Sequence, residues 1–169
     1  MQVLKRWKGR RELLCVTLGV AIGAAMMYVV PRKPLQAVAT DRSDKFAIVT
    51  APVDTNLEAV FVLDFLTGRL TGAVLDRTGT RYTMFYTRDL AADFNVDPQV
   101  TPQYAIVSGR SLRPSVGRAQ WGNSSIYVAE LTSGQVACYA IPYRNTTRPE
   151  PAPIPLVPVV TFPFREALK

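Results

Sequence analysis

Residues 60–70 read VFVLDFLTGRL, and residues 126–136 read IYVAELTSGQV. In each, apolar β-branched and aromatic residues come first, an acid follows (Asp64, Glu130), and a hydroxyl residue then precedes a glycine (Thr67-Gly68, Ser133-Gly134). Runs of this kind suit a pleated, half-buried surface, and glycine supplies the positive φ that a tight reversal demands. Each stretch is expected to be an antiparallel hairpin, its carboxylate accepting hydrogen bonds from the turn amides. The competing reading of two acids at matched positions is a shared catalytic or metal site.

The correspondence extends outward. FAIVT (46–50) precedes the first hairpin and YAIVS (104–108) the second, across a connection eight residues longer in the second copy. LTGAVL (70–75) and YTMFYT (82–87) complete a first meander, and Asp89 is a good N-cap for a short helix over residues 90–94, broken by Asn95 and Pro98. The second copy shows three strands as far as Ile141 and then meets Pro142. Its fourth strand is either missing or supplied by VPVVTFPF (157–164), where Pro158 and Pro163 would confine it to a sheet edge. The expected fold is mainly β: two tandem β-meander repeats of about four strands each (about 45–88 and 104–143), one short helix between them, and a single transmembrane helix in front.

That helix is expected at residues 13–30, LLCVTLGVAIGAAMMYVV, eighteen residues without a charge. At about 1.5 Å per residue they reach roughly 27 Å, near the thickness of a hydrocarbon core. Five basic residues lie in segment 1–12 and two (Arg32, Lys33) follow the apolar run, which predicts a cytoplasmic N-terminus, a signal anchor and an exported C-terminal part. A cleavable signal peptide is the alternative, with Ala37-Val38-Ala39 as its processing site, and Arg10-Arg11 is a weak twin-arginine match. Gly19 and Gly23 have the spacing that lets two membrane helices approach closely, although glycines facing lipid would look the same. Residues 31–44 read as a linker.

The formal charge of +7 belongs to this N-terminal region. From residue 41 onward there are 13 basic and 12 acidic residues, too even a balance for a phosphate-binding surface, so no nucleic-acid partner is expected. The chain has no histidine, which removes the usual general base and the commonest metal ligand. Cys15 and Cys138 are too differently placed to pair. Asp64 and Asp76 lack the contiguous Asp-Thr/Ser-Gly of an aspartic protease, and no Walker loop, GxGxxG or calcium loop occurs. Ser43 near Lys45 is a poor dyad at a linker edge. No catalytic residue, metal or cofactor is expected, and the small-molecule ligand, if there is one, is unknown.

Residues 144–169 form a proline-rich tail with Pro149, Pro151, Pro153 and Pro155 at every second position, which favours extended polyproline II. Such a segment either docks in a partner's aromatic groove or straps across its own domain.

Two resemblances carry weight here. The pattern Phe61-Val62-Leu63-Asp64 with Thr67-Gly68 resembles blade hairpins of quinoprotein-type β-propellers, though the tryptophan that usually follows the turn is lacking, and two units close no propeller unless chains associate. Over residues 46–143 the chain also resembles a family of small membrane-anchored bacterial proteins of planctomycete type with a duplicated hairpin domain. The residues that carry it are VFVLDFLTGRLTGAVLD (60–76), FYTRDL (85–90) and SIYVAELTSGQVACYAIPY (125–143). It implies an anchored envelope domain and brings no activity with it. The expected protein is a single-pass cell-membrane protein whose periplasmic domain is a non-catalytic binding or assembly module, with a protein partner or self-association. The alternatives are a ligand- or cofactor-binding propeller-like module formed by oligomerisation, and a hydrolase whose cleft the sequence does not reveal.

Overall fold

The computed structural model describes residues 17–20, 40–97, 99–114 and 120–165. Within residues 40–165 the chain is mainly β, built as two sheets. The first has the order β1 (Thr40–Arg42), β2 (Phe46–Asp54), β3 (Leu57–Asp64), β4 (Arg69–Leu75), β5 (Tyr82–Asp89) and, parallel to β5, β9 (Ile154–Pro155). In the second, β6 (Tyr104–Arg110), β7 (Trp121–Glu130) and β8 (Gln135–Pro142) run as a meander, and β10 (Val157–Pro163) lies antiparallel on the free side of β8.

The pairing register is the same in both sheets. Phe46 faces Asp64 and Asp64 faces Arg69 in the first; Tyr104 faces Glu130 and Glu130 faces Gln135 in the second. The tail strand takes the place of β5: Thr87 pairs with Thr71, and Thr161 pairs with Ala137, the residue matching Thr71. The missing fourth strand is thus supplied by residues 157–163. Its prolines fit an edge, because the Phe164 amide bonds the Gly134 carbonyl and strand alternation then turns the Pro163 nitrogen outward.

Several boundaries differ from expectation. β2 runs on through Pro52 to Asp54 and turns at Thr55 and Asn56, with Asn56 at φ 59°; Pro52 still serves, because its carbonyl accepts from the Ser124 hydroxyl at 2.5 Å. Residues 40–42 of the expected linker form β1, since Thr40 to Arg42 find unpaired β2 edge groups beside them. The short helix α1 is Leu90–Asp93, capped by Asp89, whose carboxylate accepts from the Ala92 amide at 3.2 Å. Most of the expected span 13–30 lies outside the described residues, as does Gly23; residues 17–20 are helical and exposed. Among the described residues no helix is long and apolar enough to cross a membrane.

One hydrophobic cluster fills the space between the sheets. The first sheet contributes Ala47, Val49, Phe61, Leu63, Leu70 and Tyr86; the second contributes Tyr104, Ile106, Ile126, Val128, Ala137 and Tyr139. Strand β2 packs over β6 and β7, and the Ser108 hydroxyl reaches the Thr50 carbonyl at 2.6 Å. Leu156, between the two tail strands, is completely buried in the same cluster.

Candidate functional site

The matched acids sit at the ends of β3 and β7, where sequence reasoning put the turns. Each turn spans four residues and closes with glycine in the left-handed region, Gly68 at φ 65° and Gly134 at φ 68°. Equivalent backbone bonds run from the Gly68 amide to the Asp64 carbonyl and from the Gly134 amide to the Glu130 carbonyl. Asp64 accepts from the Leu66 amide at 2.8 Å and the Thr67 hydroxyl at 2.9 Å. Those bonds, the Leu66 amide foremost, hold its carboxyl below the usual range. Glu130 accepts from the Thr132 hydroxyl and from the amides of Thr132, Ser133 and Gln103.

Their surroundings differ. Asp64 is on the outer side of the first sheet, whereas Glu130 is wholly buried between the sheets. Burial would raise the Glu130 carboxyl, but the donors around it outweigh that and bring it down to about 2. Both carboxylates are occupied with their own turns and face opposite sides of the first sheet. Among the described residues no three histidine, cysteine, aspartate or glutamate side chains gather where they would hold a metal ion.

A polar tie that sequence reasoning missed crosses the core. Arg88, on the inner side of β5, donates from Nε to Asp93 of α1 at 2.6 Å, and the Tyr139 hydroxyl donates to the same carboxylate at 2.8 Å. The Arg88 guanidinium also lies over the Tyr139 ring, 5.8 Å from its centroid. The bond to Asp93 holds the Arg88 guanidinium protonated more firmly than usual, and burial pushes the Tyr139 phenol up. This trio joins β5, α1 and β8. A charged cleft of about 380 Å³ opens beside it, lined by Arg69, Asp89 and Pro155 among others. The only hint in the sequence was an arginine at an inward strand position.

The tail straps its own domain. The Glu150 amide donates to the Thr83 carbonyl at 2.8 Å and the Leu156 amide to the Thr87 carbonyl at 3.1 Å, so the segment lies along β5. Pro149, Pro151, Pro153 and Pro155 are all exposed on the outside of that strap. Gly19 is exposed on its short helical stretch, and a Cβ there would meet no atom of the described residues within 4 Å.

The outer face of the second sheet is apolar over two rows. Cross-strand pairing places Val107, Tyr127, Cys138 and Val160 in one row, and Ala105, Ala129, Val136 and Phe162 in the next. Neither row contains a charged residue. Val107, Val160 and Phe162 are 54%, 58% and 54% exposed, figures ordinary for polar residues and high for these. Arg113 lies across part of this face, its guanidinium reaching the Ser125 hydroxyl at 3.3 Å and the Cys138 sulfur at 3.7 Å, while its Nε is buried without a partner among the described residues. The outer face of the first sheet is mixed, with Asp64, Arg69 and Asp89 in one row and Ile48, Val62 and Thr71 in another. No family model, no curated protein and no solved structure matches this chain.

Proposed function

We propose that the protein is a non-catalytic binding or assembly module of the cell envelope. It is held by one N-terminal transmembrane helix over residues 13–30 and carries a duplicated β domain outside the cytoplasm. The single observation that supports the binding role is the largely apolar, solvent-facing side of the β6–β7–β8–β10 sheet, where Val107, Val160 and Phe162 lie more than half exposed. A face of that composition in water favours association, since burying it against a partner removes apolar area from solvent at about 25 cal/mol per Å². The anchor reading rests on the charge-flanked apolar run at 13–30.

Two tandem meanders from one pairing scheme form the finer fold, and their stacking favours one second reading: a propeller-like module completed by several chains, with a ligand at its axis. Topology is tested by adding protease to cells bounded by an intact inner membrane. Digestion of the 40–165 domain with a retained N-terminal fragment is expected; protection of the domain would overturn the envelope location. A mature chain beginning at Thr40 would replace the anchor with a cleaved leader.

A further inference from the structure

The two sheets share a register and bury opposite faces. In the first, Val49, Phe61, Leu63 and Leu70 point into the core; their counterparts in the second, Val107, Tyr127, Ala129 and Val136, point to solvent. Conversely Ile106, Ile126 and Val128 of the second sheet are buried, and their counterparts Ile48, Val60 and Val62 lie on the outside of the first. If the face containing Val49 is called the front and that containing Ile48 the back, the chain stacks the front of its first sheet on the back of its second. That is a head-to-tail junction. It leaves one front (second sheet) and one back (first sheet) in water, each the counterpart of a surface already buried inside the molecule.

We infer that the free front of the second sheet receives the free back of the first sheet of another copy of this chain, repeating between chains the junction within the chain. This rests on the binding-module reading and names its partner. Matched surfaces on different sides of one molecule make a heterologous contact, which closes into a ring or extends as a filament.

The test uses the full chain in mild detergent, with mass read by light scattering and native mass spectrometry. The wild type is expected to assemble beyond a monomer. Val107→Lys blocks the front and Val62→Lys blocks the back, so each alone should be monomeric while its melting and circular dichroism stay near wild type. Mixed in equal amounts they should form a dimer and stop there, since only one productive pair of faces remains. If Val107→Lys does not fold, Val160→Lys, at a more exposed position of the same row, replaces it. A monomeric wild type overturns the inference, as do variants that still assemble (contact through the membrane helix) or that stay monomeric when mixed (a face meeting its own copy). A monomeric wild type whose domain is still digested from outside the cell leaves the envelope reading standing; a protected domain overturns that reading whatever its mass.

Discussion

At the scale of single residues, the two turns share one pattern, an acid and a hydroxyl residue before glycine, and are not equivalent in energy. A Cβ added at Gly68 would lie 2.9 Å from the Tyr104 hydroxyl and 3.2 Å from the Ala91 amide nitrogen, which belongs to backbone. At Gly134 the three nearest atoms would be Cβ, Cδ and Cγ of Arg165, at 3.0 to 3.1 Å, in an exposed residue just past β10. Both positions have a positive φ that alanine resists by about 1 kcal/mol. Gly68→Ala should therefore cost about 2 kcal/mol or more and Gly134→Ala about 1 kcal/mol, read from urea or thermal melting. Equal losses would show that packing around Gly68 gives way freely. Glu130 supplies a pH signature. Its folded carboxyl sits at about 2, below an ordinary 4.5, so its contribution is complete above pH 4.5 and drains away as pH falls toward 2. Wild type should lose on the order of 2 kcal/mol through this group over that window, and Glu130→Gln, less stable at pH 7, should show a flatter acid limb. Parallel acid limbs for the two proteins would refute the assignment. The turns were legible in the sequence because Thr67-Gly68 and Ser133-Gly134 act locally. The burial of Glu130 was not, since it depends on which side of the second sheet meets the core.

Secondary-structure elements tell a different story, and the tail tells most of it. Its prolines announced an extended segment, and its apolar residues announced that something covers it. The structure divides the two roles at Leu156, which is buried, whereas every residue of β10 is exposed to some degree. Ending the chain after Leu156 removes β10 and uncovers the β8 edge but leaves the core filled. Ending it after Arg148 also removes the strap on β5 and the Leu156 side chain, opening a hole of the kind that costs about 2–5 kcal/mol. The longer truncation should therefore lower the melting temperature well beyond the shorter one. If the two melt alike, Leu156 does not hold the strap. The sequence could nominate β10 as a fourth strand, because VPVVTFPF has strand composition; β9, which adds parallel to β5 in the other sheet, is two residues long and leaves no periodic trace.

For the molecule as a whole, what mattered was the relation between the sheets, and here the sequence was silent for a physical reason. Strand alternation reveals which face is buried only when one face is polar. Residues 46–50 and 104–108 carry apolar side chains on both faces, so FAIVT and YAIVS fit a core on either side. The duplication in sequence thus gave the register and hid the inversion. The core that results is shared: Phe61 packs on Tyr86 within the first sheet, while Phe65 and Phe94 close around Tyr104 of the second. Arg88, Asp93 and Tyr139 tie the two across the same gap. Among the described residues neither sheet has a second apolar layer of its own, so neither should persist when the other opens. Residues 40–165 should unfold in a single transition, and hydrogen exchange in β3 and β7 should report the same opening free energy. Asp93→Ala removes the anion that Arg88 and the Tyr139 hydroxyl share at the junction, leaving Arg88 its long bond to the Leu156 carbonyl, and should destabilise both strands together by about 2–3 kcal/mol. Exchange that speeds up in β7 while β3 stays protected would show two independent sheets, and the shared core would then carry less of the stability than its burial implies.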